Sequence, residues 1–301
     1  MAFLTPYRRG LFLTFLGILI ITPDSLLILM AEQSPANLLF WRNSMLLPFL
    51  VPLLLIYRHK IFNQTTPVAT LPKQLWRKTK QFYPLMIFFP ITSAFFILGT
   101  QHNTVANNLI IVGSSPLIGA MLTAFYLKKK VPWDNWLATI GVLVGISLVM
   151  FDSLLDAKLF GAMCSLGAAL FLALHYNFLQ GRHLHPLLIV LFIVLGNVIL
   201  SLPFVAWGTT NLWQFSIMFI NAVLTIALSF GLTSYAARWV STEEILLIFM
   251  LEILIGPLPV WWVLGQTPSN QVVIGGLIVL VVVSTWIWHR IKSQSAKPSL
   301  L

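Results

Sequence analysis

The sequence predicts an all-α integral membrane protein of ten transmembrane helices, arranged as two inverted five-helix repeats. Three observations lead there. Hydrophobic residues make up 58% of the chain and charged residues only 9%, against about 25% charged in an ordinary soluble domain. The apolar residues fall into about ten runs of about 20 residues, the length a helix needs to cross the hydrocarbon core. Lysine and arginine are confined almost entirely to alternate loops, and short segments recur at constant spacing in the two halves.

The runs can be taken in order. The first, about 10–30, follows Arg8 and Arg9 and contains Thr22-Pro-Asp24. Pro23 removes a backbone donor and can bend the helix there. No small-residue cleavage pattern follows, so this run is read as a retained span and not a removed signal peptide. The second, about 36–57, carries Arg42 and Pro52 and leads into a basic loop, 58–81. The third and fourth run over about 82–100 and 104–127. The fourth holds Asn107, Asn108 and Ser115-Pro-Leu-Ile-Gly-Ala120. The fifth, about 133–152, contains Gly141 and Gly145, small residues four apart that let helices approach closely. The sixth, about 158–180, contains His175 and Cys164, a lone cysteine that excludes an intramolecular disulfide. The seventh and eighth cover about 185–207 and 212–236. The ninth, about 240–264, opens on Ser241-Thr-Glu-Glu244, the pattern of a capping box. Half-way along it stands Glu252-Ile-Leu-Ile-Gly-Pro257. The tenth, about 271–290, contains Gly275 and Gly276. Helices satisfy their own backbone polar groups in lipid. A β-barrel would need short alternating segments, and these runs do not alternate.

The net charge of +10 does not signal nucleic acid, because the basic residues sit in short connectors. They precede the first run or follow the second, fourth, sixth, eighth and tenth, with Lys158 and Arg42 the exceptions. That bias places both termini in the cytoplasm and the chain in the inner or plasma membrane.

The two halves echo one another. At a shift of 137 residues Thr104 meets Ser241, Ser115 meets Glu252 and Gly119 meets Gly256. Earlier in each half a shift of 151 aligns Gly10 with Gly161, Pro35 with Pro186 and Pro52 with Pro203. The expected division is a first five-helix repeat over 1–155, a second over 156–292 and a short cytoplasmic tail at 293–301. An odd number of spans per repeat makes the second copy enter the membrane from the opposite face. Transporters with inverted repeats hold substrate near the midplane, between the copies.

Thr22-Pro-Asp-Ser-Leu-Leu27, Phe40-Trp-Arg42, Ser115-Pro-Leu-Ile-Gly-Ala-Met-Leu122 and Glu252-Ile-Leu-Ile-Gly256 together make the chain resemble the EamA family of the drug/metabolite transporter superfamily. The resemblance extends over essentially all ten runs. It implies a ten-helix inverted-repeat carrier with a central cavity lined by spans one, three, four, six, eight and nine. Spans five and ten would be peripheral, and the substrates small exported metabolites such as amino acids. There are departures. The family closes spans four and nine with Leu-Gly-Glu, where this chain has Leu127-Lys-Lys and Leu264-Gly-Gln266. Ile253 also replaces the proline that follows the family's glutamate in span nine.

Ionisable residues at membrane depth are candidates for function. Asp24 lies about 20 Å along its helix, and Arg42 reaches a similar depth on the antiparallel neighbour, so the two are expected to pair or share a polar network. They could fix packing, or Asp24 could meet a substrate ammonium or a coupling proton. Glu252 has no basic residue near it in its span. It is a candidate proton or amine site, or a neutral hydrogen-bonded packing contact. His175, aligned with Asp24 by the 151-residue shift, could carry a proton, donate into the cavity or simply pack. Asn108, Val112, Ser115 and Gly119 form a small, polar helical stripe that lines a cavity or admits a neighbouring helix. Tyr83 and Tyr235, with Phe95 and Phe96, could face the cavity and favour an aromatic or cationic substrate.

The expected function is therefore secondary, alternating-access export of a small organic metabolite, an amino acid or related amine, with proton coupling through Asp24 or Glu252. An importer or facilitative exchanger is the alternative within transporters. A channel, scramblase or intramembrane enzyme is the alternative from other classes. Nothing in the sequence forms a metal-ligand cluster, a nucleophile–base pair or a phosphate-cradling glycine-rich loop, so no enzyme activity, metal or cofactor is expected. The expected partners are a small-molecule metabolite and membrane lipid, and not nucleic acid. Monomer and homodimer both stay open.

Overall fold

A computed structural model describes residues 5–62, 82–125, 133–155, 159–180, 182, 184–267, 269–271, 273–278, 281–282 and 285–286. Most of the predicted loop 58–81, the lysines at 128–130, Lys158 and the tail 293–301 lie outside these residues. The described residues are helical and contain no strand. In chain order the helices are α1 (Pro6–Ile21), α2 (Asp24–Met30), α3 (Pro35–Ser44), α4 (Leu47–Phe62), α5 (Leu85–His102), α6 (Val105–Val112), α7 (Ser115–Phe125), α8 (Trp133–Leu155), α9 (Leu159–Leu179) and α10 (Pro186–Ser201). They continue with α11 (Leu212–Asn221), a π-helical segment (Ala222–Phe230), α12 (Gly231–Ala236), α13 (Thr242–Phe249), α14 (Glu252–Ile255) and α15 (Pro257–Leu264).

Taken together across their breaks, these form seven stretches long and apolar enough to cross a membrane, among the described residues. They are Pro6–Met30, Pro35–Tyr57, Leu85–His102, Leu159–Leu179, Pro186–Phe204, Leu212–Ala236 and Glu244–Leu264. The described residues are thus those of a helical, multi-pass membrane protein. The three remaining predicted runs behave differently. The fourth is divided between α6 and α7, the fifth coincides with α8, and much of the tenth lies outside the described residues. Large apolar side chains face outward along the stretches, with Trp262 91% exposed and Phe15, Leu19, Phe49 and Ile87 also bare. Such surface belongs in lipid.

The breaks follow local chemistry. Pro23 cannot donate a backbone bond, and α1 stops at Ile21 before α2 restarts at Asp24. Two other breaks match in register. Thr104 caps α6 by accepting from the Asn107 N–H, and Ser241 caps α13 by accepting from the Glu244 N–H. The Glu244 carboxylate accepts in return from the Ser241 N–H, completing the capping box. α6 then ends at Val112 and α13 at Phe249, two residues intervene in each, and the next helices start at Ser115 and Glu252. All these pairs lie 137 residues apart. Gly265, with φ of 68°, closes α15 in the left-handed conformation that glycine adopts without strain.

The core forms where α9 and α10 pack on α5 and α1 packs on the π segment and α12. Tyr176, Phe89, Phe192 and Ile18 are among its fully buried side chains. Close approach depends on small residues. A Cβ on Gly196 would stand 2.5 Å from the Met86 carbonyl oxygen, 2.6 Å from Pro90 Cγ and 2.8 Å from Met86 Cα. Backbone and proline cannot swing aside, so Gly196→Ala should push α10 off α5 and cost about 1–3 kcal/mol. Thermal unfolding of the purified variant beside the wild type measures that loss.

Candidate functional site

The break at Thr22 and Pro23 makes Asp24 the first residue of α2. It is buried at 3% exposure, facing α3 and α11. Arg42, near the end of α3 and 2% exposed, brings its Nη1 to 3.7 Å from Asp24 Oδ1. Asn221, the last residue of α11, donates its side-chain N–H to the same oxygen at 2.7 Å. Thr225 donates its hydroxyl there at 2.8 Å. Arg42 Nη1 donates to Asn221 Oδ1 at 3.2 Å, so the amide links both charges. Arg42 Nε and Ser25 Oγ are buried without a hydrogen-bond partner.

Thr225 stands in the π-helical segment that starts one residue after Asn221. A π turn adds a residue per turn and is frequent at functional sites. Neither Asn221 nor Thr225 was among the residues picked out from the sequence. Their signal is two polar residues four apart, on one helical face of an otherwise apolar run.

A second polar centre surrounds Glu252. Its side chain is buried, Oε1 has no hydrogen-bond partner and, among the described residues, it forms no ion pair. Beside it lies a cavity of about 20 Å³ bordered by Gly113, Ser115, Leu172, Phe249 and Glu252. The matched breaks therefore meet: the residues that restart α7 and α14 share one cavity. Tyr176 and Thr233 share a hydrogen bond of 2.8 Å between their hydroxyls. His175 Nε2 lies 3.2 Å from the Ser234 hydroxyl and its ring packs on Phe89, while Nδ1 is buried without a partner.

The other candidates lie elsewhere. Asn108 joins helices: it donates to Thr100 Oγ1 at 2.8 Å and accepts from the Ser165 hydroxyl at 2.6 Å. Gly119 faces Leu246 and Thr242 of α13. Tyr83 packs edge-on against Phe192. Tyr235 lies under the guanidinium of Arg238, 3.9 Å from the ring centre. Among the described residues, no group of three or more His, Cys, Asp or Glu side chains could hold a metal ion.

The two ends of the bundle differ. At one, Tyr7 donates to Glu244, Arg9 lies over Trp239, and Arg238 donates to the Leu184 carbonyl at 2.7 Å. The other is closed by neutral polar side chains. Asn37 donates to Gln33 Oε1 at 2.8 Å and Thr209 Oγ1 at 2.9 Å, and accepts from the Ala206 N–H at 2.9 Å. Gln33 donates to Gln214 Oε1 at 2.8 Å, and Gln101 donates to the Gln33 carbonyl at 2.8 Å. This clasp ties the α2–α3 turn to α5, to the loop after α10 and to α11.

The fold defines a class, a multi-pass helical membrane protein with buried charges between its helices. One solved crystal structure of a protein superposes on 94% of this chain and 99% of its own, with a TM-score of 0.64 at 13% identity, and so shares its fold. No family model matches the sequence. The chain is 23% identical over 218 residues to an S-adenosylmethionine uptake transporter of Rickettsia bellii (strain RML369-C), covering 71% of this chain and 73% of that one. It is 21% identical over 217 residues to the S-adenosylmethionine uptake transporter of Rickettsia prowazekii (strain Madrid E), covering 71% and 72%. These similarities and the membrane-length helices support a membrane transporter.

Proposed function

We propose that the protein is a secondary transporter of a metabolite that carries a zwitterionic amino-acid group, S-adenosylmethionine or a close chemical analogue, and that Asp24, Arg42, Asn221 and Thr225 hold that group. The observation that carries this reading is the buried Asp24–Arg42 pair bridged by an amide. A zwitterion can replace such a pair without changing the buried charge. Its ammonium takes the place of Arg42 beside Asp24, and its carboxylate takes the place of Asp24 beside Arg42. S-adenosylmethionine carries both groups on one carbon, and its sulfonium adds one positive charge, of the kind that aromatic rings attract; the core holds such rings in Phe89, Phe230 and Phe249.

The relatives differ in direction and substrate from the expected amino-acid export and fit the alternative, an importer, better. Their names give uptake, which favours import, and their substrate is itself an amino-acid derivative. The matched breaks of α6–α7 and α13–α14 support the EamA-type architecture of two inverted five-helix repeats in ten spans. The basic end, with Arg9 and Arg238, supports a cytoplasmic N-terminus in the inner or plasma membrane. In that orientation the Gln33–Asn37 clasp closes the outer end.

Binding is tested first. S-adenosylmethionine should raise the melting temperature of the purified wild type progressively with concentration, as expected for a ligand of the native state. Methionine, which lacks the sulfonium and adenine, should raise it less at equal concentration. No shift with either compound counts against this substrate class.

A further inference from the structure

We infer that the cavity at Glu252 is a site for a single monovalent cation, a proton or sodium ion, that drives transport and is separate from the Asp24–Arg42 pair. The inference rests on the transporter reading of the preceding section. Three observations converge on it.

The first is size. The cavity measures about 20 Å³, and about 10–15 Å³ is enough for one water-sized species. It cannot admit an organic substrate.

The second is charge. Glu252 Oε1 has no partner, although the side chain is more than nine-tenths buried. An unpaired carboxylate at that depth is costly. Arg42 is engaged by Asp24 and Asn221, so it offers Glu252 no compensation. On α9 the neighbouring titratable groups are Tyr176, whose hydroxyl is tied to Thr233, and His175 beside Ser234. α6, α7 and α15 contribute none, and the Tyr7–Arg9 segment of α1 sits at the basic end with Glu244 and Trp239. A proton on the carboxyl, or a small cation held between it and the Ser115 hydroxyl in an otherwise apolar lining, removes the cost.

The third is the backbone. Two of the helical stretches that border the cavity, α6–α7 and α13–α14, break at it, and their bonds tighten to three-residue spacing, Ser114 N–H to Ile111 O and Leu251 N–H to Ile248 O, each 3.0 Å. Interrupted helices near the midplane are where transporters place coupling ions. The two breaks also pack side chain to backbone against each other. A Cβ on Gly113 would stand 2.7 Å from Ile253 Cδ1, and one on Gly256 2.6 Å from Leu109 Cδ1. A change of charge at Glu252 therefore acts where the two broken helices bear on each other.

The test uses the purified full-length protein in two ways. Without substrate, infrared difference spectra on a pH step, or on exchanging choline for sodium, should show a carboxyl signal that Glu252→Gln removes and Glu252→Asp retains. The pH step reports a proton site and the sodium exchange a sodium site. If neither produces a signal that depends on Glu252, the inference is overturned. In proteoliposomes, an inward proton or sodium gradient should raise uptake of labelled S-adenosylmethionine about 5-fold or more, and E252Q should abolish that response. Wild-type exchange of S-adenosylmethionine that ignores both gradients overturns the coupling site and leaves the transporter reading intact. Wild-type protein that carries no S-adenosylmethionine overturns the substrate reading, and the infrared result then decides the cation site alone.

Discussion

Asp24→Ala is expected to destabilise the protein severely and to abolish transport. The substitution leaves the Arg42 guanidinium buried, with the Asn221 amide oxygen as its acceptor. Stranding one member of a buried pair costs about 3–5 kcal/mol, which is a large share of the stability of an ordinary domain. Arg42→Ala should do the same from the other side, leaving the Asp24 carboxylate with two neutral donors, Asn221 and Thr225. Loss of function in either single variant cannot be assigned to substrate binding. The informative protein is the double variant Asp24→Leu with Arg42→Met. Replacing both ions with apolar groups of similar volume is often neutral or stabilising, so the double variant should recover much of the lost melting temperature. It should still not transport, because nothing remains to hold a zwitterion. Melting temperature and uptake are measured side by side on the four proteins. Recovery of both together would make the pair a packing device.

Asn37→Leu is expected to have the second large effect, on conformation more than on folding. Asn37 is the centre of the clasp, bonded to Gln33, Thr209 and the Ala206 N–H. Its removal takes away neutral hydrogen bonds worth about 0.5–1.5 kcal/mol each, all of them lost from the state in which this end is closed. A bias of that size changes a two-state ratio by about 5–150-fold. The expected result is a population opened at the Gln33 end. With Cys164 replaced by serine, a cysteine placed at Ser25 should react faster with an impermeant thiol reagent in the Asn37→Leu background than in the wild-type background. Equal rates would mean that the clasp is not a gate.

The transmembrane stretches were legible because lipid imposes a length and an apolar composition that few other constraints imitate. The Asp24–Arg42 contact was legible for a related reason. Two opposite charges at equal depth on consecutive antiparallel helices have few other partners. The Ser241–Glu244 capping box was likewise readable from spacing alone. Asn221 and Thr225 were not, because their importance comes from a contact about 200 residues along the chain and from a π segment that no composition signal marks. The closing clasp was hidden for a different reason. Gln33, Thr209 and Gln214 are polar residues near loops, and only the fold shows that they converge on Asn37. The fourth run read as one continuous span, but the chain is interrupted after Val112. Apolar composition alone does not reveal an interruption, although the repeated Ser115 and Glu252 segments mark its place in both halves.

The most direct measurement is counterflow of labelled S-adenosylmethionine into proteoliposomes preloaded with the unlabelled compound, with no ion gradient imposed. The wild type should accumulate label saturably and transiently, and the folded Asp24→Leu with Arg42→Met protein should not. Absence of counterflow in the wild type, or equal counterflow in both proteins, would contradict a carrier that holds its substrate between Asp24 and Arg42.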